Sequence, residues 1–196
     1  MNLNTVKDFR HAVYGCFQRA GDALFNTVDA LLTEDRAHSF PELSLSPHFE
    51  RRWPSLYEAF EDGRINEQRL NQVLVDFLPA CDAGSLLWIG IDTSGIARPG
   101  SFTSADRSAQ HVHNLPECDK PVTYGWQFST MVALPQTPSS WTYILDQQRV
   151  STETTAAQVA FAQLFHLILP RPEQTIAVLD RGYDSTWLWC QCSSLP

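Results

Sequence analysis

The chain reads as an α/β protein, with an all-helical N-terminal region over residues 1–84 and a mixed sheet with helices over residues 85–196. Three observations predict this. Apolar residues recur at spacings of three and four through the first eighty positions, as on one face of a helix. From Ser85 the period shortens to that of strands. A helical stretch then separates a hairpin from one further apolar strand, which is the pattern of a crossover connection.

The first apolar stripe holds Val6, Phe9, Val13, Phe17, Ala20, Leu24, Val28 and Leu31, which predicts one long amphipathic helix over residues 5–34. Ser39 to Pro47 is rich in turn residues. A second helical patch carries Phe49, Trp53, Leu56, Tyr57 and Phe60, and Pro54 marks a fresh start there, because proline suits a first helical turn and breaks an interior. Asn66 has the character of an N-cap. Leu70, Val73, Leu74, Phe77 and Leu78 continue the buried stripe to Pro79. Such a region serves as a packing or dimerisation bundle, or as a DNA-reading module.

The second part opens with Leu86-Leu87-Trp88-Ile89-Gly90-Ile91-Asp92, a strand ending in an aspartate. Thr93 to Thr123 is a long insertion rich in Gly, Pro, Ser and Asp. Tyr124–Leu134 and Trp141–Val150 form the arms of a hairpin around Gln136-Thr137-Pro138-Ser139. A helix over Thr154–Leu169 stops at Pro170. The strand Thr175-Ile176-Ala177-Val178-Leu179-Asp180 again ends in an aspartate, and a last helix starts near Ser185. The order is β, β, β, α, β, α. A right-handed crossover lays the Asp180 strand parallel to the Asp92 strand, which brings both carboxylates to the same end of adjacent strands.

Composition excludes several classes. The 196 residues are 43% hydrophobic and 18% charged, enough for a proper core. No apolar run of membrane-spanning length occurs, and the N-terminus lacks the basic-then-apolar layout of a secretory signal. Five scattered cysteines make no disulfide framework, so a cytoplasmic protein is expected. The net charge of −8 divides into 8 basic and 13 acidic side chains over residues 1–84, and 6 and 9 over residues 85–196. Neither part is a basic module, so any contact with DNA rests on a local patch.

Two carboxylates at neighbouring strand ends gather divalent metal, a setting for phosphoryl chemistry on nucleic acid. The residues carrying them also resemble a known family. Ile91-Asp92-Thr93-Ser94 and Val178-Leu179-Asp180-Arg181-Gly182-Tyr183-Asp184-Ser185 are similar to the first and second acidic motifs of DDE transposases from bacterial insertion sequences. His113-Asn114-Leu115-Pro116 through Gly125-Trp126-Gln127-Phe128-Ser129 has the same likeness. The resemblance implies a ribonuclease-H-like core in which three acidic residues hold two Mg²⁺ or Mn²⁺ ions. It implies that Asp92 is the first carboxylate and Asp180 the second, and that the substrate is DNA at insertion-sequence ends.

One departure shapes the expectation. The family's third acid is a glutamate on a helix well downstream of the second motif. Here sixteen residues follow Asp180, and no glutamate follows Glu173. The expected protein is therefore a C-terminally truncated transposase with an incomplete ribonuclease-H-like sheet, inactive alone. The alternative is a non-catalytic, DNA-binding or self-associating remnant that modulates a full-length transposase through homo-oligomers or mixed assemblies.

Around the acids, Arg98, Arg107, His113, Lys120 and Arg181 are the candidate DNA contacts; individually each also suits a solvated loop or an ion pair. His111, His113, Cys118 and Asp119 match no standard zinc spacing, and Cys190 and Cys192 lack a second pair. Asp184 is expected to cap the last helix. Trp126, Trp141, Trp187 and Trp189 are expected in or around the core.

Overall fold

The computed structural model describes residues 2–37, 39–79, 84–111, 122–168 and 175–195. The chain divides into two compact units, Met1–Phe77 and Leu78–Pro196.

In the first unit the long helix expected over residues 5–34 is two helices. Helix α1 spans Leu3–Tyr14 and ends at Gly15, whose N–H donates to the carbonyls of His11 and Val13. A short strand β1, Phe17–Arg19, follows, and Ala20 adopts the left-handed conformation at φ 54° before α2, Gly21–Thr33. The spacing misleads here because Phe17 and Ala20 pack against the Ala23, Leu24 and Ala59 core from the break itself. Strand β1 pairs antiparallel with β2, Arg64–Ile65, so the region is not all-helical.

The turn-rich stretch contains a single-turn helix α3, Phe40–Leu43, capped by Ser39. Helix α4, Pro54–Asp62, begins at the proline, and α5, Glu67–Asp76, begins after Asn66, whose side chain accepts from the Arg69 N–H at 3.0 Å. Ala30, Leu43, Phe49 and Leu56 form the second core cluster of this unit.

The second unit is a mixed five-stranded sheet with helices. Strand β3 spans Leu87–Ala97, β4 Ser108–His111, β5 Val122–Ala133, β6 Tyr143–Val150 and β7 Thr175–Leu179. Central β5 pairs antiparallel with β3 on one side, and with β4 and β6 on the other. Strand β7 lies parallel to β3 on its far side, the arrangement that the crossover through α6, Ala156–Ile168, requires. This is a ribonuclease-H-like order.

Two details differ from the sequence reading. Strand β3 does not end at Asp92; Thr93, Ser94 and Gly95 pair with Ser129, Phe128 and Gln127, so turn-prone residues are held extended by the ladder. The insertion also contributes β4, an extra strand.

Strand alternation separates the faces of the sheet. Ile89, Ile91, Ser129, Met131, Ala133 and Val150 are buried, and α6 lies on β5 and β6 with Val159, Ala160 and Leu164 buried. A bulge at Leu145, between the Met131–Asp146 and Val132–Ile144 pairs, buries Leu145 and Asp146 in succession. Helix α6 starts with a reciprocal capping box: Thr155 Oγ1 accepts from the Gln158 N–H at 3.3 Å, and Gln158 Oε1 accepts from the Thr155 N–H at 2.8 Å.

Beyond β7, a 3₁₀ turn over Arg181–Tyr183 leads to α7, Thr186–Cys192. The cap of α7 is Ser185, which accepts from the Leu188 N–H at 3.2 Å. Asp184 instead accepts from Trp189 Nε1 at 2.8 Å.

The tryptophans divide. Trp126 is half-buried, whereas Trp141 is 81% exposed and has no place in the core. Trp187 packs edge-on against Phe161, and Trp189 is largely exposed. Cys16, Cys190 and Cys192 are free thiols. Among the described residues, no helix is long and apolar enough to cross a membrane.

Candidate active site

The parallel ladder of β3 and β7 pairs Leu87 with Thr175 and runs to Ile91 with Leu179. The next residue on each side is an acid, so Asp92 and Asp180 are lateral neighbours at one end of this ladder. Ile91 points into the core, and alternation therefore turns Asp92 to the opposite face, where it is exposed. Asp180 is exposed as well.

Each carboxylate is oriented by a nearby backbone donor. The Thr93 N–H donates to Asp92 Oδ1 at 2.7 Å, and the Gly182 N–H donates to Asp180 Oδ1 at 2.8 Å. Glycine follows Arg181 at a place where a Cβ would press on the Asp180 carboxylate oxygens. The ladder extends the polar row sideways: Asp92 pairs with Thr130, and Thr130 with Gln147. Gln147 Nε2 donates to Thr130 Oγ1 at 3.2 Å.

Beneath this row is a buried polar cluster. Ser129, the partner of Thr93 in the ladder, donates its hydroxyl to Gln163 Oε1 at 2.7 Å, and Gln163 Nε2 returns a bond to the Ser129 carbonyl at 3.2 Å. Ser129 is fully buried and Gln163 is 1% exposed. Tyr183 completes the cluster. Burial pushes its phenol pKa up; the Thr93 and Ser129 hydroxyls beside it pull the other way, and the charges of Asp92 and Asp180 add to the rise. The phenol is therefore a protonated donor at neutral pH. Although those hydroxyls face it, its own hydroxyl closes no hydrogen bond of good geometry.

The donor set suits a hard divalent cation. Mg²⁺ takes one or two carboxylates and completes its shell with water and phosphate oxygens. Asp92 and Asp180 together supply such a share. No group of three or more Asp, Glu, His or Cys side chains is assembled to hold a metal among the described residues.

The candidate cations are less concentrated than the acids. Arg181 adjoins Asp180 and is exposed. Arg107 is engaged within its own loop, donating to the carbonyls of Arg98 at 2.8 Å and Pro99 at 3.2 Å. Arg98 is exposed and donates to the Ala97 carbonyl at 3.0 Å. His113 and Lys120 lie outside the described residues, as do Cys118 and Asp119. A separate structured corner is formed where Arg149 pairs with Asp106 at 3.0 Å and lies over the Trp126 ring. Periodicity and motif spacing do not reveal Thr93, Ser129, Gln163 and Tyr183 as one cluster; the one signal in the sequence is Gln163, a polar residue within the apolar stripe of α6.

A family model described as DDE superfamily endonuclease matches residues 12–194. The chain belongs to the DDE superfamily of endonucleases. No curated protein matches the sequence. Membership brings nuclease chemistry on DNA, in keeping with transposition and recombination, and the matched span includes Asp92 and Asp180.

Proposed function

We propose that the chain is a transposase-like protein whose Asp92 and Asp180 hold Mg²⁺ or Mn²⁺ for cleavage and transfer of DNA strands at insertion-sequence ends. The observation that carries this reading is the parallel register of β3 and β7, which makes the two acids neighbours. When bound, a divalent cation would polarise the scissile phosphate and lower the pKa of the attacking water or 3′-hydroxyl. The chain's own part is orientation. Thr93 and Gly182 each hold one carboxylate oxygen through the backbone. Arg181 offers a phosphate contact beside Asp180, with Arg98, Arg107, His113 and Lys120 as further DNA contacts. Residues 85–196 form the catalytic region, and residues 1–84 serve self-association or DNA contact.

Two acids suffice for one cation, whereas stabilising both the attacking and the leaving oxygens takes a pair. Among the described residues no third acid joins Asp92 and Asp180. Cleavage by this chain alone is therefore slow or absent until a third carboxylate is supplied, as in a mixed assembly with a complete transposase. The same shortage favours the second reading, a non-catalytic DNA-binding or self-associating protein that modulates such a transposase.

The test is nicking of supercoiled DNA by the purified chain with Mn²⁺. Nicking that Asp92→Ala abolishes supports the enzyme. Asp92-dependent Mn²⁺ binding without nicking supports the incomplete site. Neither nicking nor Mn²⁺ binding leaves the non-catalytic reading in place.

A further inference from the structure

The hydroxyl of Tyr183 has no use in the chemistry above. Tyr183 is 4% exposed, and its hydroxyl oxygen is buried with no hydrogen-bond partner of good geometry. A phenylalanine would fill the same space without desolvating a polar group. The neighbouring groups are already engaged: Ser129 donates to Gln163, and Gln163 donates back to the Ser129 carbonyl. Tyr183 thus holds the donor left over, and the hydroxyls of Thr93 and Ser129, each able to accept, lie beside it.

Its position in the chain links the two acids. Thr93 directly follows Asp92 on β3. On the other side, the Tyr183 N–H donates to the Asp180 carbonyl at 3.2 Å, and the same turn supplies the Gly182 N–H to the Asp180 side chain. The phenol therefore stands between the segments that present the two carboxylates.

We propose that Tyr183 is a positioning residue whose hydroxyl donates to Thr93 when Asp92 and Asp180 close on a shared divalent cation. Cation binding and this hydrogen bond then stabilise each other, since coupling between two events is reciprocal. The inference rests on the two-acid site proposed above. Removing one neutral hydrogen bond from the loaded state weakens affinity by about threefold to tenfold.

The experiment uses the full chain and Mn²⁺, titrated by water-proton relaxation, with thermal unfolding measured in the absence of metal. For Tyr183→Phe the expected result is an unfolding temperature equal to or above that of the unaltered chain, with Mn²⁺ affinity lower by that threefold to tenfold. Thr93→Val should lower affinity by the same factor, and the two substitutions together by no more. The Cζ resonance of Tyr183 in ¹³C-labelled protein should move on addition of Mg²⁺. Unchanged affinity in Tyr183→Phe overturns the proposal. So does a parallel fall of stability and affinity, which would mark a packing role. If the unaltered chain shows no Mn²⁺ binding that depends on Asp92, the two-acid site itself falls and the inference with it.

Discussion

Replacing Gln163 by leucine tests whether the polar cluster beneath the acids ties the sheet to its covering helix. The substitution nearly keeps the volume of the side chain. It deprives the Ser129 hydroxyl of its acceptor at 2.7 Å and the Ser129 carbonyl of a donor at 3.2 Å, both in a fully buried residue. Leaving a buried polar group unpaired costs about 1–3 kcal/mol. Two such groups, less about 1 kcal/mol for the added apolar burial of leucine, give a net loss of about 1–5 kcal/mol. At about 3 °C per kcal/mol for a chain of this size, the unfolding midpoint falls by roughly 3–15 °C. Circular dichroism across a thermal ramp reads it directly. Adding Ser129→Ala removes the orphaned hydroxyl, so the double variant should be no less stable than Gln163→Leu and should show a coupling of about 1 kcal/mol or more. A midpoint unchanged in Gln163→Leu, or strictly additive losses, would refute the reasoning.

Other perturbations reach different parts of the second unit. A Cβ at Gly125 would collide with the Ile96 carbonyl oxygen, a backbone atom held in the ladder, so Gly125→Ala should destabilise by about 1–3 kcal/mol in denaturant unfolding. Asp106 has its pKa lowered, first by the hydrogen bond from the Thr152 hydroxyl, then by the Thr152 N–H and the charge of Arg149. A depressed carboxylate stabilises the fold above its unfolded pKa and loses that contribution as pH falls through the folded one. Asp106→Asn, which tolerates the positive φ of this position, should therefore be less stable than the unaltered chain near neutrality. The difference should close below about pH 4, as unfolding midpoints at several pH values would record.

The fold of the second unit was legible because its strands are apolar runs and its crossover helix is bounded by turn residues. Asp92 and Asp180 could be paired on paper because a right-handed crossover leaves little choice of topology. The break in the first helix was not legible. Phe17 and Ala20 keep the helical spacing while packing from a turn, and nothing local in Cys16 or Ala20 announces a left-handed residue. The extension of β3 past Asp92 was hidden for a related reason, since Thr93, Ser94 and Gly95 are extended by pairing with β5 rather than by their own propensity. The Tyr183, Ser129 and Gln163 cluster joins residues far apart in the chain, which periodicity cannot see. Asp184 shows the limit of capping rules: the neighbouring serine takes the cap, and the carboxylate serves the Trp189 indole.

Shared cation binding by Asp92 and Asp180 is measured most directly by titrating Mn²⁺ into the full chain and its Asp92→Ala, Asp180→Ala and doubly substituted variants. If the acids hold one ion between them, either single substitution removes most of the binding and the double removes no more. Binding that survives both substitutions, or that falls by independent halves, would contradict the shared site.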